Sequence, residues 1–288
     1  MKKTTRFRQL IADPRILILP GAYDALSAQL IAEAGFEGVY VTGGGIARSA
    51  GFPDIGLITL DEQVWRVKTI CQAVDLPVLA DADTGYGNAL NLMRTIREME
   101  AAGAAGVHIE DQVMPTRCGH YEGKEVVSKR VFVKKIEAAA AARWDEEFVI
   151  IARTDARAVH GLEEAMARGK ASREAGADVI FVEAPQTVDE IRQVAESFDC
   201  PLLINMVTRG GKTPYVPTDE LERMGYAVVI FASEAQRAAV YAIRRLLGEL
   251  KEKKTTEFYQ EMVTFQEREA IIGTASYREL EAKYLSVD

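Results

Sequence analysis

The chain is poor in cysteine. Its 288 residues hold three, Cys71, Cys118 and Cys200, widely spaced and with no C-x-x-C pair. That argues against a disulfide framework and against a structural zinc site, and it points to a reducing compartment. Long apolar runs are also missing, since none reaches the roughly 18 residues of a membrane span. Basic blocks are scarce. Apart from the short run 251–254 no Lys/Arg cluster stands out, and the net charge is −8. Neither nucleic acid nor an anionic membrane is therefore an expected partner. Low-complexity segments, short tandem repeats and a dividing linker are absent from the sequence. The amino end is basic, but polar residues and Pro14 follow it, so it does not read as a signal peptide. The expectation is a soluble, cytoplasmic protein.

What is present is a repeating pattern. Eight apolar, β-branched runs recur: 16–19, 38–42, 77–81, 106–110, 148–153, 178–183, 201–205 and 227–231. Most are continuous rather than alternating, as expected for parallel strands covered on both faces. Helical patterns rich in Ala, Glu and Arg lie between them, at 24–34, 61–74, 90–102, 128–143, 162–175, 188–197, 218–224 and 234–247. Several end in Ala-Gly, a cheap left-handed cap. Eight β-then-α units predict a (β/α)₈ TIM-type barrel over residues 1–288, with 250–288 as a helical extension. In that extension the stretches 258–262 and 277–281, on either side of Gly273, read as amphipathic helices. Their apolar faces need a surface, which either a neighbouring subunit or the chain's own barrel would supply, and the expectation is an oligomer.

In a barrel the chemistry gathers at the C-terminal strand ends. Asp81 and Asp83 are two residues apart at such an end, and so share one side. Two carboxylates that close repel unless a hard cation or a proton lies between them. The other strand ends carry Tyr40 to Gly45, then His108, Glu110 and Asp111, then Arg153 and Asp155, then Glu183, then Asn205. Oxygen donors of this kind suit Mg²⁺, with Mn²⁺ as the alternative ion. Arg153 and Arg117 suit two-pronged binding of a carboxylate or phosphate. The loop Met114 to Lys124 is long for a βα loop and reads as a lid. It places Cys118 beside Arg117 and His120, which predicts a lowered thiol pKa and proton exchange near neutrality.

Taken together, Ala80 to Asn88, Val107 to Gln112, Arg117-Cys-Gly-His120, Ile151 to Asp155, Gly211 to Pro214 and Pro20 to Ser27 resemble the isocitrate lyase / phosphoenolpyruvate mutase superfamily. The likeness covers nearly the whole chain. It implies a barrel whose last helix is swapped onto a neighbour, in a homotetramer, with Mg²⁺ and a small carboxylate substrate. The loop cysteine resembles the carbon–carbon lyase branch, acting on a 2-hydroxy di- or tricarboxylate, with 2-methylisocitrate the first choice. The alternatives are 2,3-dimethylmalate cleavage, oxaloacetate hydrolysis and, further off, phosphonomutase chemistry. The resemblance implies that Asp81 binds the metal, helped through water by Asp54, Asp83 and Glu110. It makes Cys118 the general acid, tuned by Arg117 and His120, with Tyr40 able to move the hydroxyl proton. Arg153, Thr42, Gly43, Gly44, His108 and Gly119 would contact substrate. Glu183 and Asn205 would orient it, and Arg237 and Arg268 would bind further carboxylate. One departure is plain: Thr116 stands where methylisocitrate and isocitrate lyases carry lysine, and the missing cation would either weaken binding of a third carboxylate or raise the Cys118 pKa. The segments 120–124 and 210–214 look more like the dimethylmalate lyase side of the superfamily.

Overall fold

The computed structural model describes residues 1–257 and 259–285. Eight strands form: β1 Leu17–Ala22, β2 Val39–Val41, β3 Val78–Asp81, β4 Gly106–Glu110, β5 Val149–Thr154, β6 Val179–Val182, β7 Leu202–Asn205 and β8 Val228–Phe231. Each of the eight expected runs overlaps one of them. All pair in parallel with the next in sequence, and β8 closes on β1 through Leu17 opposite Val228. The expected helices appear as α2 Ala25–Glu33, α4 Leu60–Ala73, α5 Ala89–Ala101, α6 Lys129–Ala142, α8 Leu162–Glu174, α9 Val188–Glu196, α10 Thr218–Met224 and α11 Glu234–Lys253. Three short or amino-terminal helices were not expected: α1 Lys3–Ala12, α3 Gly43–Ser49 and α7 Ala156–His160. The carboxyl end adds α12 Phe265–Ile271 and α13 Thr274–Tyr284.

Within each continuous apolar run the two-residue period of a strand still decides what faces inward. Val78 and Ala80 pack outward against helices, while Leu79 points into the barrel. Ile150 and Ala152 likewise face outward, and Val149 and Ile151 inward. The inner layer also takes Phe7 of α1, fully buried, so α1 closes the amino-terminal mouth of the barrel. Gly106 leaves room for that ring, since a Cβ there would lie 3.3 Å from Phe7 and 2.7 Å from the Val149 carbonyl. Continued upward, the same alternation turns polar and brings Asp81, Glu110, Arg153, Glu183 and Asn205 over the inner layer.

The carboxyl end departs from expectation in part. Residues 259–262 are not helical, and Phe258 lies outside the described residues. The helix expected at 277–281 is there, inside α13, and Gly273 begins it with a left-handed φ of 73°. α12 begins with a capping box between Thr264 and Glu267 and packs near α2. α11, α12 and α13 bury no residue. Val240, Tyr241, Ile243, Leu247, Phe265 and Tyr277 are all exposed. No helix among the described residues is long and apolar enough to cross a membrane.

Candidate active site

A cavity of about 340 Å³ opens at the C-terminal ends of the strands. That volume suits a small metabolite. Asp54, Asp81, Asp83 and Glu110 all line it. Asp81 ends β3 and is held from behind: Gln63 donates to its carbonyl at 2.9 Å, and Tyr40 donates to its carboxylate at 3.3 Å. Asp83 follows with a left-handed φ of 45°, and its N–H donates to Asp81 Oδ1 at 3.0 Å. A non-glycine residue in that conformation is strained, and such strain collects at functional sites. Burial, then the neighbouring Asp81 and Asp54 charges, push the Asp83 carboxyl up to about 8. Burial raises Glu110 as well, and also Asp54. Glu110 Oε1 is buried without a hydrogen-bond partner.

This wall of crowded oxygens fits a hard divalent cation. Among the described residues no three His, Cys, Asp or Glu side chains close around a metal unaided. That agrees with an ion that keeps most of its waters and takes only one or two carboxylates directly.

Arg153, ending β5, faces the wall. It lies 3.3 Å from Glu110, 3.0 Å from Asp155 and 3.7 Å from Glu183. Burial by itself disfavours its charge, but those carboxylates outweigh burial and raise its pKa. For Asp155, burial pushes upward, and Arg153 and Lys124 overcome it to hold the carboxyl below its ordinary value. Asp111 anchors the group from below, accepting from the Thr154 hydroxyl at 2.7 Å, the Asp155 N–H at 2.8 Å and Arg168 at 2.9 Å. Both Glu183 oxygens and Asn205 Oδ1 are buried without a hydrogen-bond partner. All three belong to residues that line the cavity, where a ligand with donors would satisfy them.

The loop after β4 folds over this site. Gln112 clamps its base, donating to the Arg117 carbonyl at 2.8 Å and accepting from the Arg117 N–H at 2.9 Å. The Cys118 N–H donates to the Asp54 carbonyl at 3.2 Å. On the far side the Lys212 N–H donates to His120 Nδ1 at 3.1 Å. The expected lowering of the Cys118 pKa is overturned. Burial first, then the Asp54 carboxylate, push the thiol up to about 11. The flanking cations that motivated the expectation do not dominate, because Arg117 is exposed and burial holds His120 below its usual pKa. Cys118 is therefore a protonated thiol, suited to give a proton rather than to attack as a thiolate.

Tyr40, Thr42, Gly44, Asp54, Asp81, Asp83, Glu110, Arg117, Cys118, Gly119, His120, Arg153, Glu183, Asn205 and Arg237 all line the cavity. Three expected contact residues stand apart. His108 is wholly buried under the wall, 2.9 Å from the Tyr40 hydroxyl and 3.5 Å from Asp81, so it touches the site only through them. Gly43 lies behind Asp81, where a Cβ would come 2.7 Å from Oδ2. Arg268 does not line this cavity. It sits on α12, half exposed, bonded to Glu269 and stacked over Phe265. The glycine run is not a free loop either, for Thr42 caps α3 by accepting from the Gly45 N–H at 3.1 Å.

Several cavity residues escaped the sequence reading, and two of them bear on the wall. Thr116, noted only as a departure, is buried in the wall. Arg48, on α3, reaches 3.7 Å from Asp54. A Cβ on Gly44 would strike both partners, at 2.5 Å from Asp54 and 2.6 Å from Arg48. Its position one turn beyond the glycine run was the available signal.

Comparison with known proteins agrees with this geometry. A family model described as phosphoenolpyruvate phosphomutase matches residues 7–251. The 2,3-dimethylmalate lyase of Eubacterium barkeri is 44% identical over 286 residues, covering 99% of each chain. The 2-methylisocitrate lyase of Bacillus subtilis (strain 168) is 44% identical over 277 residues, 96% of this chain and 90% of that one. A crystal structure of phosphonopyruvate hydrolase with oxalate and Mg²⁺ superposes with a TM-score of 0.91 at 31% identity, covering 99% of this chain and 100% of that one.

Proposed function

The chain belongs to the phosphoenolpyruvate phosphomutase family, within the isocitrate lyase superfamily, and we propose that it is a Mg²⁺-dependent carbon–carbon lyase. Its substrate is a 2-hydroxy di- or tricarboxylate, with 2-methylisocitrate, cleaved to pyruvate and succinate, the first choice. The observation that carries this reading is Cys118: a thiol kept protonated by burial, on the loop beside Asp54, lining one small cavity together with four carboxylates.

Asp81, with Asp54, Asp83 and Glu110, would hold the ion, and Mn²⁺ is the alternative occupant. When bound, it supplies a Lewis acid that lowers the pKa of a substrate hydroxyl. Burial keeps the Tyr40 phenol protonated, so Tyr40 would act as a relay, passing its own proton to His108 Nε2 at 2.9 Å as it accepts the one from the substrate hydroxyl. Burial disfavours the charged imidazole, so His108 is a neutral partner to Tyr40. Arg153 binds substrate carboxylate with a guanidinium already fixed by Asp155, and the N–H groups around Thr42, Gly43 and Gly44 add donors. Glu183 and Asn205 orient the α-oxyacid end with their unpartnered oxygens. Breaking the carbon–carbon bond leaves an electron pair beside the second carboxylate, and Cys118 delivers the proton that quenches it. Arg117, Gly119 and His120 shape the lid over that step. Arg237 adds charge at the cavity rim.

A second reading rests on Thr116. It is buried in the wall and neutral, so it adds no cation for a third carboxylate, which favours a dicarboxylate such as 2,3-dimethylmalate. We place the protein in the cytoplasm, as a homotetramer in which the exposed apolar faces of α11, α12 and α13 are covered by a neighbour. Arg268 would then serve a site only across such an interface.

The deciding assay offers 2-methylisocitrate, isocitrate, 2,3-dimethylmalate and oxaloacetate with Mg²⁺, and follows the products. Pyruvate with succinate from the first supports the main reading, and propionate from dimethylmalate supports the second. Turnover of a phosphonate alone, with silence on all four acids, would overturn both.

A further inference from the structure

Lys124 has no part in the chemistry above, yet its placement is unusual. Residues 121–123 and 125 are exposed, and Lys124 alone among them turns inward. Its ammonium donates to the Gly119 carbonyl and lies 3.3 Å from Asp155 Oδ1, with 2% of the Lys124 side chain and 0% of the Asp155 side chain exposed. A buried ion pair is a poor device for stability, because desolvation cancels most of the attraction. What such a pair can supply is position.

The two ends of this contact matter. Gly119 directly follows Cys118, and its backbone rests on Glu183, where a Cβ would come 2.6 Å from the carboxyl carbon. Asp155 holds Arg153 through two hydrogen bonds, at 3.0 and 3.2 Å. One ammonium therefore joins the lid beside the thiol to the carboxylate that orients the arginine. The other lid ties do not do this. Gln112 fixes the loop base, the Cys118 N–H meets the Asp54 carbonyl on a neighbouring loop rather than a strand-end carboxylate, and Lys212 meets Glu122 at 2.6 Å on an exposed rim.

We propose that Lys124 is a positioning residue that sets the height of Cys118 over the strand ends by fixing Gly119 against Asp155. The inference rests on the lyase reading for its kinetic consequences, and on geometry alone for its effect on the lid. Lys124 touches no substrate. Its loss lets the Cys118–Gly119 segment rise while the metal wall stays as it is.

The test is Lys124→Met, which keeps the aliphatic stem and removes the ammonium. The expected result is a fall in kcat of about 100-fold, the scale of a misplacement near 1 Å, with KM nearly unchanged. Because Lys124 acts through Cys118, the loss must vanish in a double-mutant cycle. On the residual turnover of Cys118→Ser, adding Lys124→Met has no further effect. Hydrogen–deuterium exchange should quicken in residues 113–126 and nowhere in the strands. If Lys124→Met fails to fold, Lys124→Arg keeps Asp155 paired, and its planar head should still show a smaller loss with the same cycle. Unchanged lid exchange, or losses that add in the double variant, would overturn the proposal. Exchange needs no substrate, so it reads the lid even if the lyase reading itself fails.

Discussion

Arg153 and Asp155 lie two residues apart at one strand end and share a two-pronged hydrogen-bonded pair, at 3.0 and 3.2 Å. Asp155 is fixed in turn through its N–H by Asp111. The guanidinium is thus oriented before any ligand arrives, and it costs little to hold it there during a reaction.

Arg153→Lys keeps a charge but gives up the fork. Lysine cannot serve Asp155 and a substrate carboxylate with fixed geometry at once. We expect kcat/KM to fall by about 10²–10³-fold, the scale of losing one preorganised donor. Steady-state kinetics on whichever acid the substrate panel selects would measure it. A loss under fivefold would show that Arg153 only balances charge.

Cys118 should be slow to alkylate. With the thiol pushed up to about 11, the reactive thiolate is rare at neutrality, and the rate should climb about tenfold per pH unit beyond pH 9. An ordinary thiol levels off near its pKa of about 8.5. Iodoacetamide labelling followed by peptide mass spectrometry resolves Cys118 from Cys71 and Cys200. A plateau below pH 9 would mean that the thiol is acidic after all. By the same sign, a proton-donating Cys118 keeps its proton, so the alkaline limb of kcat should not come from it below about pH 10.

Without metal, stability should decline as pH rises from about 4 to about 8. The folded protein keeps the Asp83 proton up to about 8, whereas the unfolded chain releases it near pH 4. Across that window the folded state binds the extra proton, so stability is lost with rising pH. Saturating Mg²⁺ should displace the proton and raise Tm, by about 5–10 °C if the ion is present at a hundred times its Kd. The gain should be larger at pH 8 than at pH 6. Melting curves with EDTA and with Mg²⁺ at the two pH values check this, and equal gains at both would speak against a metal on this wall.

Much of this was legible in the sequence because strand chemistry is local. Eight apolar runs and a period of two suffice to place Asp81, Glu110 and Arg153 on one inner face. What was not legible depends on contacts distant in sequence. α1 was invisible as a barrel plug because Phe7 finds its partners only once the strands close. The Cys118 acidity was misjudged because neighbours in sequence, Arg117 and His120, matter less to it than burial and Asp54, 64 positions earlier. His108 looked like a site residue because it alternates with Glu110. It lies one layer beneath the wall, however, packed against the rings of Tyr40 and Phe181. Lys124 marked only the end of the lid, because nothing in its spacing reveals that it turns inward.

Asp81 and Glu110 stand on strands, whereas Thr116, Cys118 and His120 ride on a loop whose tip is exposed. A deletion of one residue inside β3 would exchange Asp81 for an alanine on the inner face and break the carboxylate wall at a stroke. Insertions and replacements at the exposed tip of the loop leave Asp81 and Glu110 where they are. Lineages descended from a common ancestor can therefore drift from one acid to another by editing the lid while inheriting the wall unchanged.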